Sequence, residues 1–485
     1  LKSGAEFIAD LKEFNPLIYC MGEKIEDFMG HPLLLPVINA ARATYDLALD
    51  PAHAALMTTT SSLTGEKCSL LGTLFQSRDE LVRTVKQRRW WHNTTGTCNA
   101  GRCAGTCVSN AIYNGTFLLD REYHTEYHQR FKEFYRTVQK EDKICAAGVM
   151  CVKGDRSKGP LGQEDPDLYL RVVDKNAKGI VVRGAKAHQS NGALAHEILV
   201  VPFRPMGEGE EDYAVSFAVP NGAPGLVHVW QHNLHDSRRL VAKGTDLGSQ
   251  AYGIEYHGTC LTIFNDVFVP WERVFMCGEY RYTGVFVEKF ADLIRMCGAG
   301  CRPGAVDLAM GVMALLAEYN GVEKSHHILD KITNIAGMNE VGYGCALAAA
   351  HEGEETASGL FFPNGLYVNA ARLNGTLTFA EANKWLGDVA GGLIATMPSE
   401  SDFAQAEIGP LLKKYLRGRA DIPTEHRVRA YRFAEMLGSG AVLHGLLCGG
   451  GTTETQKMII RRGMKLEQKK DLVKRLAGIK LKRQI

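Results

Sequence analysis

Two short segments of the chain carry sulfur donors at helical spacing. In TTGTCNAGRCAGTCVSNA, Cys98 precedes Cys103 and Cys107, and in IRMCGAGCRPG, Cys297 and Cys301 stand one helical turn apart. A helix running through Arg102 would place Cys103 and Cys107 on one face, with Cys98 on the loop that enters it. Neither segment has the CxxC spacing of a zinc ribbon. Thiolates supplied from separate parts of a chain suit an iron–sulfur cluster, whereas any one of these thiols is equally at home as a small core side chain. A second, polar set follows. KGDR (Lys153, Gly154, Asp155, Arg156) reads as a turn after a strand, and GIVVRGAKAHQS runs from strand into loop with Lys186, His188, Gln189 and Ser190 clustered. Backbone and hydroxyl donors there could hold the edge of a flavin ring, and Arg156 could oppose a phosphate or a substrate acid. Gly391 and Gly392, in GDVAGGLIATMPSE, admit a close backbone approach that serves helix packing or a pyrophosphate equally.

The elements that must position these groups fall into three regimes. Helical spacing of apolar residues at 78–91 and 122–141 predicts an N-terminal helical domain over 1–142. Short β-branched runs at Tyr169 to Val173, Gly179 to Arg183, Glu197 to Pro202, Tyr213 to Val219 and Leu261 to Val269 predict a mostly antiparallel β domain over 143–278. Long Ala-, Gly- and Leu-rich stretches such as Val306 to Tyr319 and Ile332 to Ala350 predict a helix bundle over 279–485. The class is therefore α+β. No GxGxxG follows a strand and no Walker-type GxxxxGK[ST] occurs, so a flavin would sit between domains rather than on a Rossmann turn. The basic run after Lys457 reads as a solvated helix face.

Composition narrows the partners. The 485 residues are 45% hydrophobic and 23% charged, which excludes a disordered scaffold. Lys plus Arg exceed Asp plus Glu by only two, so no global field draws nucleic acid or an anionic membrane. Thirteen cysteines without compact regular spacing fit reduced thiols in a cytoplasm. The segment LKSGAEFIADLKEFN lacks the apolar core of a signal peptide, and the apolar window Ala305 to Ala317 is short for a bilayer and interrupted by Asp307. A cytoplasmic protein that takes a small-molecule substrate is the expectation.

The strings KGDR, DPDLYLRVV, GIVVRGAKAHQS, FNDVFVPWERVF and GDVAGGLIATMPSE occur in this order over nearly the whole chain. Together they resemble the 4-hydroxyphenylacetate 3-hydroxylase and 4-hydroxybutyryl-CoA dehydratase family, most strongly its dehydratase branch. The resemblance implies an acyl-CoA dehydrogenase-like fold with a middle β-barrel, a homotetramer, and FAD held by Lys153, Asp155, Arg156, His188, Gln189, Ser190, Gly391 and Gly392. For the dehydratase branch it further implies a 4Fe-4S cluster and a lyase that dehydrates 4-hydroxybutyryl-CoA, a CoA thioester, and isomerises vinylacetyl-CoA. Lys186 would position substrate or flavin. The oxygenase branch, which hydroxylates phenols with reduced FAD, is the alternative, and a catalytically silent flavin- or cluster-binding relative is a third reading.

Carried over residue by residue, Cys98, Cys103 and Cys301 match three cluster ligands, and the fourth, a histidine in the family, is Ile294 here. Cys297, one turn after Ile294, could replace it, with Cys107 a less convenient substitute. A family glutamate aligns with Thr259, and a second falls within Ala441 to Gly445, which holds no acid; the family tyrosine is Gly298 and the family lysine Arg302. An acid of the flavin-loop string is Cys151. Within this pattern Lys186, Arg302 and His444 are the catalytic candidates, with Glu454 the nearest carboxylate.

Overall fold

Helix starts follow the local sequence. In a computed structural model, which describes residues 1–231 and 258–479 apart from the side chains at 440, 441 and 444, α1 (Gly4–Glu13) opens in a capping box between Ser3 and Glu6. After α2 (Leu35–Leu49), α3 (Arg78–Thr95) begins where Ser77 accepts from the Glu80 N–H, and it ends at Gly96. Next come α4 (Arg102–Tyr123) and α5 (Tyr127–Lys140). The helical run expected at 122–141 is thus divided. His124 stands at φ +55° as the cap of α4, and the Asp120 carboxylate accepts from the N–H groups of Tyr127 and His128 to start α5.

Ten strands matter for the site: β1 (Leu17–Cys20), β2 (Glu23–Lys24), β3 (Cys145–Gly148), β4 (Arg171–Asn176), β5 (Gly179–Ser190), β6 (Glu197–Val200), β7 (Val215–Pro220), β8 (Leu226–Trp230), β9 (Thr259–Pro270) and β10 (Val274–Cys277). They form a six-stranded sheet in the order β2-β1-β8-β9-β5-β4 and a four-stranded sheet in the order β10-β7-β6-β3. Most pairings are antiparallel; β1 with β8 and β3 with β6 are parallel. The expectation of a barrel is corrected to two open sheets. They face each other across apolar side chains, with Phe217 of β7 edge-on to Phe264 of β9 at 5.8 Å.

The C-terminal part is helical: α6 (Thr283–Tyr319), α7 (His326–His351), α8 (Gly365–Ala390), α9 (Thr424–Leu437), α10 (Gly440–Cys448), α11 (Thr453–Gly463) and α12 (Leu466–Leu476), with shorter turns between. No residue of α12 is buried, so the basic run within it faces water as expected. Helix α6 is, by length and composition, apolar enough to cross a membrane, contrary to the short window read from sequence. Its most apolar stretch is 61% buried inside the protein, the property of a core helix. One apolar core joins the N-terminal helices, both sheets and the first half of α6 as far as Ala299; a second begins at Ala305 and fills the bundle. Cys297 and Cys301 sit at the changeover.

Candidate functional site

Three helices meet at the cysteines. α3 and α6 approach until backbone touches backbone: a Cβ added at Gly304 would lie 2.4 Å from His92 Cβ and 3.0 Å from the Arg89 carbonyl. α4 packs on the other side, against β3 and against Phe286 of α6. Cys103 and Cys107 therefore face Cys297 across the α4–α6 contact, and Cys107 Sγ lies 3.6 Å from Cys297 Sγ. Arg88 of α3 reaches the same sulfur, Nη2 to Sγ 3.9 Å.

The electrostatics show that the thiols from both segments share one environment. Burial raises the Cys103 thiol well above its ordinary value; Arg88 works against this, while Cys297, Cys98 and Cys301 add to it. Burial likewise raises Cys107. Cys297 goes the other way, down to about 6, because Cys107 donates a hydrogen bond to its sulfur and the Arg88 guanidinium outweighs part of the burial penalty. Among the described residues no three His, Cys, Asp or Glu side chains converge on one point as a single metal ion requires. A cluster of four irons is larger, and its thiolates surround a volume instead of meeting at a point. Cys98, Cys103, Cys297 and Cys301, beside a buried guanidinium, have the donor chemistry for it.

The strand expected to hold a flavin ends at the same place. Ser190 closes β5 against Gly101, whose added Cβ would lie 2.7 Å from Ser190 Cβ, two residues before Cys103. Thr259 lies opposite Ser190 in the β5–β9 register, so it stands beside this end of the strand and brings no carboxylate to it. Gln189 Nε2 and both amide atoms of Asn191 are buried with no hydrogen-bond partner among the described residues. Such a set of orphaned donors and acceptors fits the polar edge of a bound ring. Sequence reasoning stopped at Ser190 and missed Asn191, whose φ of +58° marks the sharp turn after the strand.

Other expected residues separate from this centre. Lys186 is 2% exposed, and its Nζ donates to the carbonyls of Val149 at 2.8 Å and Val201 at 3.0 Å and to Cys151 Sγ at 3.3 Å. All three donors are used inside the protein, where they tie β5 to the segments 149–151 and 201. His188 is exposed at φ +60°, and Asp155, exposed, holds its carboxylate against the Ser157 N–H and hydroxyl, which keeps it below the usual range. Lys153, half-buried at φ +81°, sits 5.4 Å from the Phe203 ring, and burial lowers its amine; Arg156 is exposed. Gly391 and Gly392 are exposed at the far end of α8, about 28 Å along the helix from Arg372.

Arg302 lies on a different flank of α6. Its Nε donates to the Leu446 carbonyl at 2.8 Å, Nη2 to Gly449 at 3.0 Å, and Nη1 to Gly298 at 3.1 Å, so it clamps the end of α10 against the helix that bears Cys301. Arg372 of α8 donates to the same carbonyls and to Thr376, and fills the space at Gly298: a Cβ there would meet Arg302 Nη1 at 2.6 Å and Arg372 Nε at 3.2 Å. His444 is carried by α10, and its side chain lies outside the described residues. Glu454 is exposed and paired with Lys457 at 2.9 Å, which holds its carboxyl down, so it is no substitute for the missing acids. Ile294 is half-buried and packs on the apolar core. Sequence reasoning also missed Asp292, which burial pushes up to about 7; nine positions at about 100° each place it on the side of α6 away from Cys301.

Comparison with known proteins accounts for this arrangement. Residues 3–276 match the family described as 4-hydroxyphenylacetate 3-hydroxylase N terminal, and residues 283–478 its C-terminal counterpart. The 4-hydroxybutyryl-CoA dehydratase/vinylacetyl-CoA-Δ-isomerase of Clostridium aminobutyricum is 38% identical over 493 residues, covering 99% of this chain and 100% of that protein. A structure of an oxygen-tolerant archaeal 4-hydroxybutyryl-CoA dehydratase from N. maritimus superposes with a TM-score of 0.96 at 36% identity, covering 100% of this chain and 96% of the other. The oxygenase component of 4-hydroxyphenylacetate 3-monooxygenase, solved with FAD, gives a TM-score of 0.85 at 25% identity, covering 98% of each chain.

Proposed function

Because this chain belongs to the 4-hydroxyphenylacetate 3-hydroxylase family, we propose that it is a FAD- and 4Fe-4S-dependent lyase of the 4-hydroxybutyryl-CoA dehydratase type, acting on an acyl-CoA or a related hydroxylated substrate. The observation that carries this reading is the meeting of thiols from α4 and α6 beside the end of β5. Cys98, Cys103 and Cys301 would be three ligands and Cys297 the fourth, in place of the histidine that Ile294 displaces. Ser190, Gln189 and Asn191 would hold the ring edge. Bound there, flavin would supply reversible electron uptake and the cluster electron transfer, while four thiolates would leave no iron with the weakly held ligand that Lewis-acid chemistry on a hydroxyl needs.

The chain's own groups would then do the following. Arg302 and Arg372 hold the end of α10 against α6 and so set where His444 stands; His444 is the proton acceptor for the substrate C–H, in a site without either family glutamate. Lys186 acts at a distance, by fixing β5. Gly391 and Gly392, exposed at the far end of α8, would in this reading meet the cofactor of a neighbouring copy in a homotetramer. The reading includes the acyl-CoA dehydrogenase-like arrangement of three domains at 1–142, 143–278 and 279–485, and a cytoplasmic setting.

Iron and acid-labile sulfide analysis of anaerobically purified protein, with its absorbance spectrum, tests the proposal. About four irons per chain beside oxidised flavin, both cluster signals being lost in Cys301→Ala, is the expected result. Flavin without iron, with turnover of a phenol, would favour the monooxygenase alternative; binding of cofactor with turnover of neither substrate class would favour a silent relative. Identical spectra and iron content in wild type and Cys301→Ala would remove the cluster from the reading.

A further inference from the structure

Arg88 is a buried cation whose charged surroundings are all sulfur. It is 2% exposed; Nη1 donates to Gln87 Oε1 at 2.9 Å, Nη2 approaches Cys297 Sγ at 3.9 Å, and Nε has no partner among the described residues. Among the described residues no carboxylate pairs with it. The ionisable groups facing it are Cys297 from α6 and Cys103 and Cys107 from α4. Space for it is built in: a Cβ at Gly300 would lie 3.0 Å from Arg88 Cβ. A guanidinium buried without an anion is costly, and a neutral thiol is a weak acceptor, so the arrangement calls for negative charge on the sulfurs.

We propose that Arg88 is the counter-charge of the sulfur site, and that it sets the reduction potential of the cluster held there. The inference rests on the proposed function. One-electron reduction of a cluster adds one negative charge and neither makes nor breaks a bond. A fixed positive charge in a low-dielectric interior stabilises the more negative oxidation state, and therefore raises the midpoint potential. Arg88 touches neither substrate nor flavin in this scheme; it is a positioning residue for Cys297 and an electrostatic one for the cluster.

The test compares wild type, Arg88→Met and Arg88→Lys, each purified anaerobically. Iron and sulfide per chain are measured, and a dithionite titration followed by the EPR signal of the reduced cluster gives the midpoint potential. Arg88→Met is expected to shift the potential downward, and Arg88→Lys to recover part of the shift. Should Arg88→Met fail to assemble a cluster while circular dichroism shows a folded chain, recovery of iron in Arg88→Lys supports the charge, and no recovery overturns it. Equal iron and equal potential in wild type and Arg88→Met overturn the inference and leave the proposed function standing. A wild type without iron overturns the proposed function, and this inference with it.

Discussion

Two flanks of α6 bury arginines to the same depth and treat them oppositely. Arg88 is 2% exposed and Arg372 0%. Burial disfavours both charges, yet thiols facing Arg88 raise it above its ordinary value, whereas Arg372, beside Arg302 and Arg295, falls to about 8. The partners explain the contrast. Arg372 donates to the carbonyls of Leu446, Leu447 and Gly449, the end of α10, which are dipoles and cannot take a full charge. Arg88 faces thiols, of which Cys297 alone is drawn toward its anion. One flank is held together by hydrogen bonds to carbonyls; the other sets a cation against sulfur.

The largest effect that distinguishes the flanks is all-or-none. Cys297→Ser is expected to lose the cluster absorbance and iron, while Cys107→Ser, 3.6 Å away, retains both. The reverse outcome, measured by iron content and spectrum of anaerobic protein, would make Cys107 the fourth ligand.

Next in size is Asp292, on the arginine flank. Its carboxyl is about 7 in the folded chain against an ordinary 3.8, so the folded state binds the proton more tightly. Stability is then greatest near pH 4 and falls as pH rises toward 7, by roughly 4 kcal/mol at most. Asp292→Asn should flatten this slope and stabilise the protein above pH 7. Denaturant melts from pH 5 to pH 8 check it; an unchanged slope in the variant would show that the carboxyl is already ionised in the folded protein.

How much of this was legible in the sequence follows the same division. The sulfur pairs could be read because helical spacing is a local property: Cys103 with Cys107 and Cys297 with Cys301 need only a helix to share a face. Arg88 could not, since QRRWWH reads as an ordinary helix surface until Gly300 and Gly304 of a segment two hundred residues away press against it. The burial of Lys186 was legible in the strand itself. Residues 180, 182, 184 and 186 form the buried row of β5, so period two already placed its amine inside. The expected barrel required knowing which strands pair, and β1 and β2, from the helical part of the chain, extend one sheet instead of helping to close it.

Arg372→Met has a smaller expected effect than either change above. It removes donors from carbonyls that Arg302 still partly serves, and it also removes a buried charge, so the net loss of stability is about 1–3 kcal/mol. Iron content should stay at the wild-type value and the cluster potential should move less than in Arg88→Met, because its guanidinium answers chiefly the end of α10 and reaches Cys301 only through charge. A potential shifted as far as in Arg88→Met, with unchanged stability, would erase the contrast between the flanks.

The smallest expected effect is at Glu454, which the sequence offered as a substitute acid. Its exposed pair with Lys457, 2.9 Å apart, is of the kind that contributes little, and Glu454→Gln should change stability by less than about 0.5 kcal/mol. The proposed proton acceptor, His444, is instead carried by α10, whose last carbonyls Arg302 fixes against α6. Activity should therefore survive Glu454→Gln with its pH profile intact and fail in His444→Ala with flavin and iron retained. Loss of turnover in Glu454→Gln alone would move the acid–base chemistry to α11 and require that helix to rearrange when substrate binds.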